Sequence, residues 1–264
     1  MHPIERLRFV ARATGAPPDE VVREAAASLA GFAADPVSLV TACRRLIDRH
    51  PANGAIWWLC ARTLLAADPA DEAWRCHSEF HADPTVDELA HQLPDGAAVA
   101  VVGWPDRLAG AFARRGDVQV RVVDVDGDGP GFVRMLERLD VEAVDVAGSG
   151  LAPAVADTDV VVLEASAIGP DVALVAPGGW AAAAVARAAE VPVWLVGGRG
   201  RPVPAGLWPA LQARLGTATT APWERGIDLL PLGLVDQVAG PAGLQTPADV
   251  VATVETPDAA ELRR

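Results

Sequence analysis

The sequence predicts an α/β protein: an N-terminal helical domain over residues 1–93, followed by a Rossmann-like domain with a mostly parallel sheet over residues 94–264. Two observations predict this class. Before residue 94, apolar residues recur at helical spacing. From Asp95 onward, short runs rich in valine alternate with helical stretches, as in parallel sheets that are covered on both faces. The chain of 264 residues is long enough for two such domains.

The first 93 residues predict four helices, and the segment from Ala82 to Pro94 is expected to link them to the sheet. Two of the helices begin where an aspartate can cap the first turn and a proline fits it. The predicted helices are Asp19 to Phe32, Asp35 through Ile47, 56–67 after Asn53 and Gly54, and Asp68 through Trp74.

The second half predicts five strands with helices between them. Branched apolar residues dominate each run, which favours strands that are buried on both faces. The predicted strands are 97–103, 118–125, 141–147, 158–166 and 191–198, and the predicted helices lie near 105–115, 129–139 and 178–190.

Polar and glycine residues gather where these strands end, and ligands of open α/β sheets bind at the carboxyl ends of strands. Backbone amides at Gly178 and Gly179 open a predicted helix, where an anion is expected to bind. The strand-end residues are Gly103, Trp104, Asp124, 148–150, 164–166 and 197–199.

Composition excludes several functions. The formal charge is −13, the chain contains no tyrosine, and all 22 basic residues are arginine. A phosphate-binding P-loop lysine and a Schiff-base lysine are therefore impossible. The acidic balance argues against direct contact with nucleic acid or an anionic membrane.

Location is predicted from the same composition. Residues 1–18 lack the apolar core of a secretory signal, and no apolar stretch is long enough to span a bilayer. Three sparse cysteines do not make a disulfide framework. We expect a cytoplasmic protein, and the arginine-rich, lysine-free composition favours a bacterial source.

Dinucleotide binding is a weak interpretation of the turn after the first strand. This turn runs from Gly103 to Gly110 without the close glycine pair that lets a pyrophosphate approach the backbone. Asp124 lies where a ribose-binding acid is expected, but an ordinary strand-end aspartate is the favoured explanation.

A metal site is also disfavoured. Five possible ligands fall within eight residues, but the sequence has no second cysteine pair and no HExxH motif. A solvated helix end explains the same residues, and we expect no metal and no cofactor. The five are Cys76, His77, Glu79, His81 and Asp83.

Arg199 and Arg201 follow the last core strand in the sequence GGRGRP. A glycine-rich loop at a strand end can hold a phosphate between arginines. A plain solvated loop is the favoured interpretation of these residues, and the phosphate clamp is the alternative.

Residues 159–204 and 226–251 resemble the translation initiation factor 2B alpha/beta/delta family, which includes methylthioribose-1-phosphate and ribose-1,5-bisphosphate isomerases. In that family a strand ending in Gly-Ala-Asp leads into a hairpin, and Asn-Lys-x-Gly-Thr opens an Ala-rich helix. The tail GIDLLPLGLVDQ matches the family's closing segment. The resemblance implies a fold of the NagB/RpiA/CoA-transferase type and assembly through the α/β domain, so we expect a homodimer.

The family's reactive positions are changed in this chain. Ser166 stands where the resemblance places the catalytic aspartate, and residues 176–180 replace the Asn-Lys-x-Gly-Thr motif with Ala-Pro-Gly-Gly-Trp. The catalytic cysteine that follows the first strand of the domain is replaced by Gly103 and Trp104. Serine without a base is a poor proton shuttle. Bulky Trp180 is expected to fill the family's phosphate site.

The resemblance and these changes together favour a non-catalytic regulatory or ligand-binding protein, with a phosphosugar or nucleotide pocket between the domains. One alternative is a divergent sugar-phosphate isomerase, with Glu164, Ser166 and Asp124 as the catalytic candidates. Another is a dinucleotide-binding oxidoreductase domain. The candidate ligand-binding residues are Gly103, Trp104, Gly178, Gly179, Trp180, Gly198 and Arg199.

Overall fold

The computed structural model describes residues 18–216 and 220–263. The opening segment, for which the sequence predicts no secretory signal, lies outside the described residues up to position 17. Among the described residues, none of the helices combines the length and apolar character needed to cross a bilayer.

Within the described part of the chain, five helices precede the first strand, one more than the sequence predicts. They are α1 (Pro18–Ala30), α2 (Pro36–Arg49), α3 (Gly54–Leu65), α4 (Pro69–His81) and α5 (Thr85–Gln92). The side chains of Asp35, Asn53 and Asp68 accept hydrogen bonds from the first-turn amides of α2, α3 and α4, which supplies partners for orphan donors.

Helix α5 corrects the prediction of a link between Ala82 and Pro94. Asp83 accepts hydrogen bonds from the amide and the hydroxyl of Thr85, at 3.1 and 2.6 Å, and so fixes the start of the helix. Leu89 and Ala90 are buried against the sheet core. The apolar side of this segment therefore gains burial that the linker interpretation did not anticipate.

The main sheet has seven strands in the order β10-β9-β7-β4-β1-β2-β3. All neighbouring pairs are parallel except β9 with β10, which confirms the predicted α/β class with a mostly parallel sheet. The strands are β1 (Ala98–Val102), β2 (Gln119–Asp124), β3 (Glu142–Ala147), β4 (Val160–Glu164), β7 (Val193–Val196), β9 (Gln237–Gly240) and β10 (Gly243–Gln245).

A second, antiparallel sheet of three strands in the order β5-β6-β8 lies against the helical region. It contains the hairpin that the family resemblance implies. Its strands are β5 (Ala167–Ile168), β6 (Val172–Val175) and β8 (Asp228–Pro231), and β8 was not predicted from the sequence.

Six further helices lie in the described residues. Those near 105–115, 129–139 and 178–190 agree with the sequence, whereas the short helix between β3 and β4 and the two helices after β7 were not predicted. They are α6 (Asp106–Arg115), α7 (Gly129–Glu137), α8 (Leu151–Ala156), α9 (Gly179–Ala188), α10 (Trp208–Arg214) and α11 (Pro247–Ala252).

Alternate residues of the central strands enter two different cores. Along β1, Val99 and Val101 pack on one face of the sheet, whereas Ala100 and Val102 pack on the other. This alternation follows from the two-residue period of a strand, and it explains why the runs are apolar throughout.

A third core fills the helical region and includes Trp57 and Trp58, which are fully buried. Leu174 of β6, Leu207 and Trp208 of α10 also belong to this core. Residues far along the chain therefore complete the packing of the N-terminal helices.

Candidate functional site

The connection from β1 to β2 leads toward one edge of the sheet, and β4 returns to the other side of β1. Ligands of such sheets bind at this reversal, outside the carboxyl ends of the two strands. A cavity of about 190 Å³ lies there. Its walls are Val102, Trp104, Pro105, Asp106, Leu163, Glu164, Ala165, Ser166, Val175, Ala176 and Arg201. We call it the switch-point cavity.

Glu164, the last residue of β4, projects toward the start of α6. Its Oε2 accepts a hydrogen bond from the backbone amide of Arg107 at 3.2 Å. A helix N-terminus carries partial positive charge and free amides, and phosphates bind in that position in this fold class. The Glu164 carboxylate therefore occupies the helix N-terminus at which a phosphate would otherwise bind.

Arg201 is 5% exposed and faces the same carboxyl group. Its Nη2 lies 3.9 Å from Glu164 Oε1, and its Nη1 donates to Asn53 Oδ1 and to the Ser166 carbonyl, both at 3.2 Å. Burial lowers the pKa of Arg201 to about 10, against the opposing attraction of Glu164. Burial raises the pKa of Glu164, although Arg201 and Arg107 oppose that shift.

A second buried ion pair, between Asp83 and Arg107, lies next to Glu164 and Arg199. Asp83 Oδ2 accepts from Arg107 Nη1 at 2.6 Å and from the backbone amide of Arg199 at 2.8 Å. Burial acts to raise the pKa of Asp83, but the Thr85 hydroxyl and the Arg107 guanidinium outweigh it and hold the pKa below its usual range. The pair therefore stays charged and fixes the loop after β7 against α5.

Ser166 and Trp104 also line the cavity. The Ser166 hydroxyl donates to the Leu174 carbonyl at 3.3 Å, which directs its proton toward the main chain. The Trp104 indole donates to Asp106 at 2.5 Å and is 39% exposed. The positive φ of Gly103, 68°, lets the chain turn directly from β1 to this indole.

The residues that open α9 lie outside the cavity. Gly178 takes a φ of 88° and packs against Val125, and Trp180 is 47% exposed. The Trp180 amide donates to Asp228 at 3.0 Å. The expectation that Trp180 fills a phosphate site is therefore corrected: the indole projects to solvent, and the Asp228 carboxylate takes the helix N-terminus.

Asp124 is also separate from the cavity. Its Oδ1 accepts from the Gly127 amide at 2.7 Å and closes the polar turn after β2. Trp104 fills the space beside Gly131 on the neighbouring helix. The Trp104 indole and the Glu164 carboxylate thus occupy the turn after β1, where a pyrophosphate would approach the backbone.

Gly198 and Arg199 line another cavity, of about 280 Å³, at the carboxyl ends of β7 and β9. Arg199 Nη1 lies 2.9 Å from Glu255 and 3.9 Å from Glu79. Gly198 lies against the pair of Arg107 and Asp83, where a β-carbon would overlap both side chains. We call this space the β7–β9 cavity.

The five possible metal ligands of the helix end separate into different contacts. Glu79 pairs with Arg62, His81 approaches Asp19 at 3.2 Å, and Asp83 holds Arg107. Burial raises the pKa of the Cys76 thiol to about 12. Within residues 18–216 and 220–263, no three metal-ligating side chains come close enough to share an ion.

The structure thus brings Trp104, Glu164 and Ser166 together and places the other predicted site residues elsewhere. Sequence reasoning missed Arg107 and Asn53, and it considered Arg201 only as a loop arginine. In the sequence, Asn53 indicated only the break before a helix. The burial of Arg201 depends on a contact with this residue, 148 positions away.

Comparison with solved structures relates this fold to translation initiation factor 2B. The chain is similar to the Pyrococcus horikoshii OT3 translation initiation factor eIF-2B at 12% identity and TM-score 0.78, covering 94% of this chain and 98% of that one. It is similar to eIF2B beta from Chaetomium thermophilum at 17% identity and TM-score 0.73, covering 97% and 93%.

A third similar structure is the tetrameric eIF2B-beta2-delta2 complex from C. thermophilum, at 18% identity and TM-score 0.74, covering 95% of this chain and 93% of that chain. No family model and no curated protein matches the sequence. The predicted resemblance is confirmed at the level of the fold: the chain has the fold of alpha/beta/delta-like subunits of this factor.

Proposed function

We propose that the chain is a non-catalytic regulatory or ligand-binding protein built on the initiation factor 2B-like fold. The observation that supports this most directly is the role of Glu164. It is bound to the Arg107 amide and faces buried Arg201, so it caps a helix and balances a charge. A general base must instead be free to reach a proton on the substrate.

The switch-point cavity is the proposed ligand pocket. Trp104 supplies aromatic surface to its lining, and Glu164 and Ser166 offer oxygen atoms to ligand hydroxyls. We place the sugar part of a phosphosugar or nucleotide here, with its phosphate toward the rim. The N-termini of α6 and α9, which would otherwise take a phosphate, are already capped by Glu164 and Asp228.

Turnover and binding test this proposal separately. We expect no conversion of ribose-1,5-bisphosphate or methylthioribose-1-phosphate by the wild-type protein, measured by ³¹P NMR over hours. A ligand that binds the folded state raises the melting temperature. Any rise in the presence of a sugar phosphate should disappear in Trp104→Ala if the ligand occupies the switch-point cavity. Steady turnover would exclude the non-catalytic role.

A divergent sugar-phosphate isomerase is the second candidate. The raised pKa of Glu164, caused by burial, favours it, because shifted carboxyl groups in clefts are frequent proton shuttles. If the wild type shows turnover, Glu164→Gln should abolish it in the isomerase. Unchanged turnover in that variant would remove Glu164 from the reaction. The oxidoreductase alternative has less support, since Trp104 and Glu164 occupy the turn that would hold a dinucleotide.

Assembly into a homodimer through the α/β region is part of the proposal. The similar C. thermophilum structure is a tetrameric complex. In this chain β3 is an edge strand, and Val125, Val144, Trp180 and Trp223 expose apolar surface. Val144→Lys should halve the mass measured by light scattering, whereas Val37→Lys, at an exposed position on α2, should not.

A cytoplasmic location belongs to the same proposal. The three cysteines are free and buried, which suits a reducing compartment.

A further inference from the structure

The β7–β9 cavity combines an arginine with apolar walls and main-chain groups. It opens between the carboxyl ends of two parallel neighbours, next to the glycine-rich segment 197–200. Pro202, Pro241 and Val250 form its apolar side, and Thr253 and Glu255 form part of its polar side. This mixture of apolar wall and few polar groups is typical of small-molecule sites.

Arg199 is incompletely satisfied in this cavity. Its Nε is buried and has no hydrogen-bond partner within the described part of the chain. An unmet buried donor destabilises the folded protein, so a ligand that supplies the missing acceptor gains binding free energy. An oxyanion offers two oxygen atoms to the guanidinium fork at once.

The carboxylate that now faces Arg199 is easily displaced. Glu255 lies at the rim with its side chain 54% exposed, and its oxygens are 2.9 and 3.2 Å from Arg199 Nη1. Exposed ion pairs contribute little to stability, so release of Glu255 costs little. The Arg199 backbone stays in place because its amide donates to buried Asp83.

We propose that the β7–β9 cavity binds a small molecule through an oxyanion group, a carboxylate or a phosphate, which takes the place of Glu255 on Arg199. The body of the ligand packs against Pro241 and Val250. In the free protein Glu255 acts as an internal competitor for the same guanidinium. This site is separate from the switch-point cavity and does not depend on the function proposed for it.

The test is a titration of the full chain with inorganic phosphate and, in a second arm, with acetate, at constant ionic strength. Binding is followed by the Nε–H signal of Arg199 in NMR spectra and by calorimetry. We expect saturation by at least one of the two probes, and the tighter probe identifies the oxyanion class. Arg199→Met should weaken binding at least tenfold. Glu255→Gln should tighten it several-fold, because the competing charge is gone.

Arg187→Gln is the matched control, since Arg187 donates to the Gly233 carbonyl on a different surface. It should bind the probes as the wild type does. Should Arg199→Met fail to fold, Arg199→Lys replaces it. This variant is expected to bind the probe more weakly than the wild type, because lysine lacks the two-pronged guanidinium that binds both oxygens of an oxyanion. Saturation by neither probe, equal affinity in the Arg199 variant, or weaker binding in Glu255→Gln would each overturn the proposal.

Discussion

Arg199 and Arg201 lie two residues apart on one loop and meet opposite environments. Arg201 is almost completely buried between Asn53, Ser166 and Glu164, whereas Arg199 reaches the rim and faces a half-exposed carboxylate. The stability of a fully buried charge depends on its partners more strongly than that of a partly exposed charge paired at a rim. The same side chain is therefore a fixed structural element in one cavity and an available binding group in the other.

The largest effect on stability should come from substituting Arg201, the buried arginine. Arg201→Met removes the buried cation that faces Glu164 and leaves the Glu164 carboxylate buried. We therefore expect a loss of about 3–5 kcal/mol in the free energy of unfolding. Urea denaturation at pH 7 measures it. Arg23→Gln, at a half-exposed arginine that lies 3.8 Å from exposed Glu20, should change stability by less than about 1 kcal/mol.

The double variant Arg201→Met with Glu164→Gln separates charge from packing. It should recover part of the loss, because the uncompensated carboxylate is gone. If the double variant is as unstable as Arg201→Met, the lost packing of the arginine side chain explains the effect instead.

A smaller effect is expected where α3 meets the loop that carries both arginines. A β-carbon at Gly54 would lie 2.8 Å from the Arg201 carbonyl and 3.0 Å from the Gly200 carbonyl, so Gly54→Ala must push backbone apart. We expect destabilisation of about 1–3 kcal/mol, as for other overpacked sites. Gly226→Ala is the control, because nothing lies within 4 Å of the added carbon. Equal melting temperatures for the two variants would show that the loop around Gly200 and Arg201 moves to accommodate the added carbon without loss of stability.

The two buried carboxyl groups should give opposite pH dependences. The pKa of Asp83 is held below its ordinary 3.8, so the stability it contributes is present above pH 3.8 and is lost as the pH falls through the lowered value. The pKa of Glu164 is raised above its ordinary 4.5, so its contribution is present below pH 4.5 and is lost as the pH rises through the raised value.

Urea denaturation between pH 3 and 7 measures both. Asp83→Asn should reduce the acid-side loss of stability. Glu164→Gln should gain on the wild type as the pH rises above 4.5. Parallel curves for the wild type and a variant would mean that the folded state does not shift that carboxyl group.

Periodicity predicted much of this fold because burial follows directly from it. The five predicted strands match β1, β2, β3, β4 and β7. The valine runs of β1, β2, β4 and β7 are mostly buried, whereas the edge strand β3 is largely exposed, which corrects the expectation that every one of these strands is buried on both faces. The short strands of the tail were missed, since β8 and β9 have four residues each and end at Pro231 and Gly240, which are unfavourable within strands. The predicted boundary between residues 93 and 94 stays a prediction, and the core around Trp57 and Trp208 spans it.

The candidate site was predicted only in part because it depends on contacts between distant residues. Glu164, Ser166 and Trp104 follow strands, so the rule on strand ends located them. Arg107 is paired with Asp83, 24 residues away, and no local spacing indicates that pair. The predicted role of Arg199 as a phosphate clamp remains a prediction.

The smallest effect on stability is expected on the exposed side of the comparison. Glu255→Gln removes the charge that faces Arg199 but keeps the size of the side chain, and its pair lies at the rim of the β7–β9 cavity. We therefore expect a change below about 1 kcal/mol in the free energy of unfolding. The same substitution should tighten oxyanion binding, so stability and affinity move independently. A loss as large as that of Arg201→Met would instead make the Arg199 pair structural, and the difference between the two arginines would disappear.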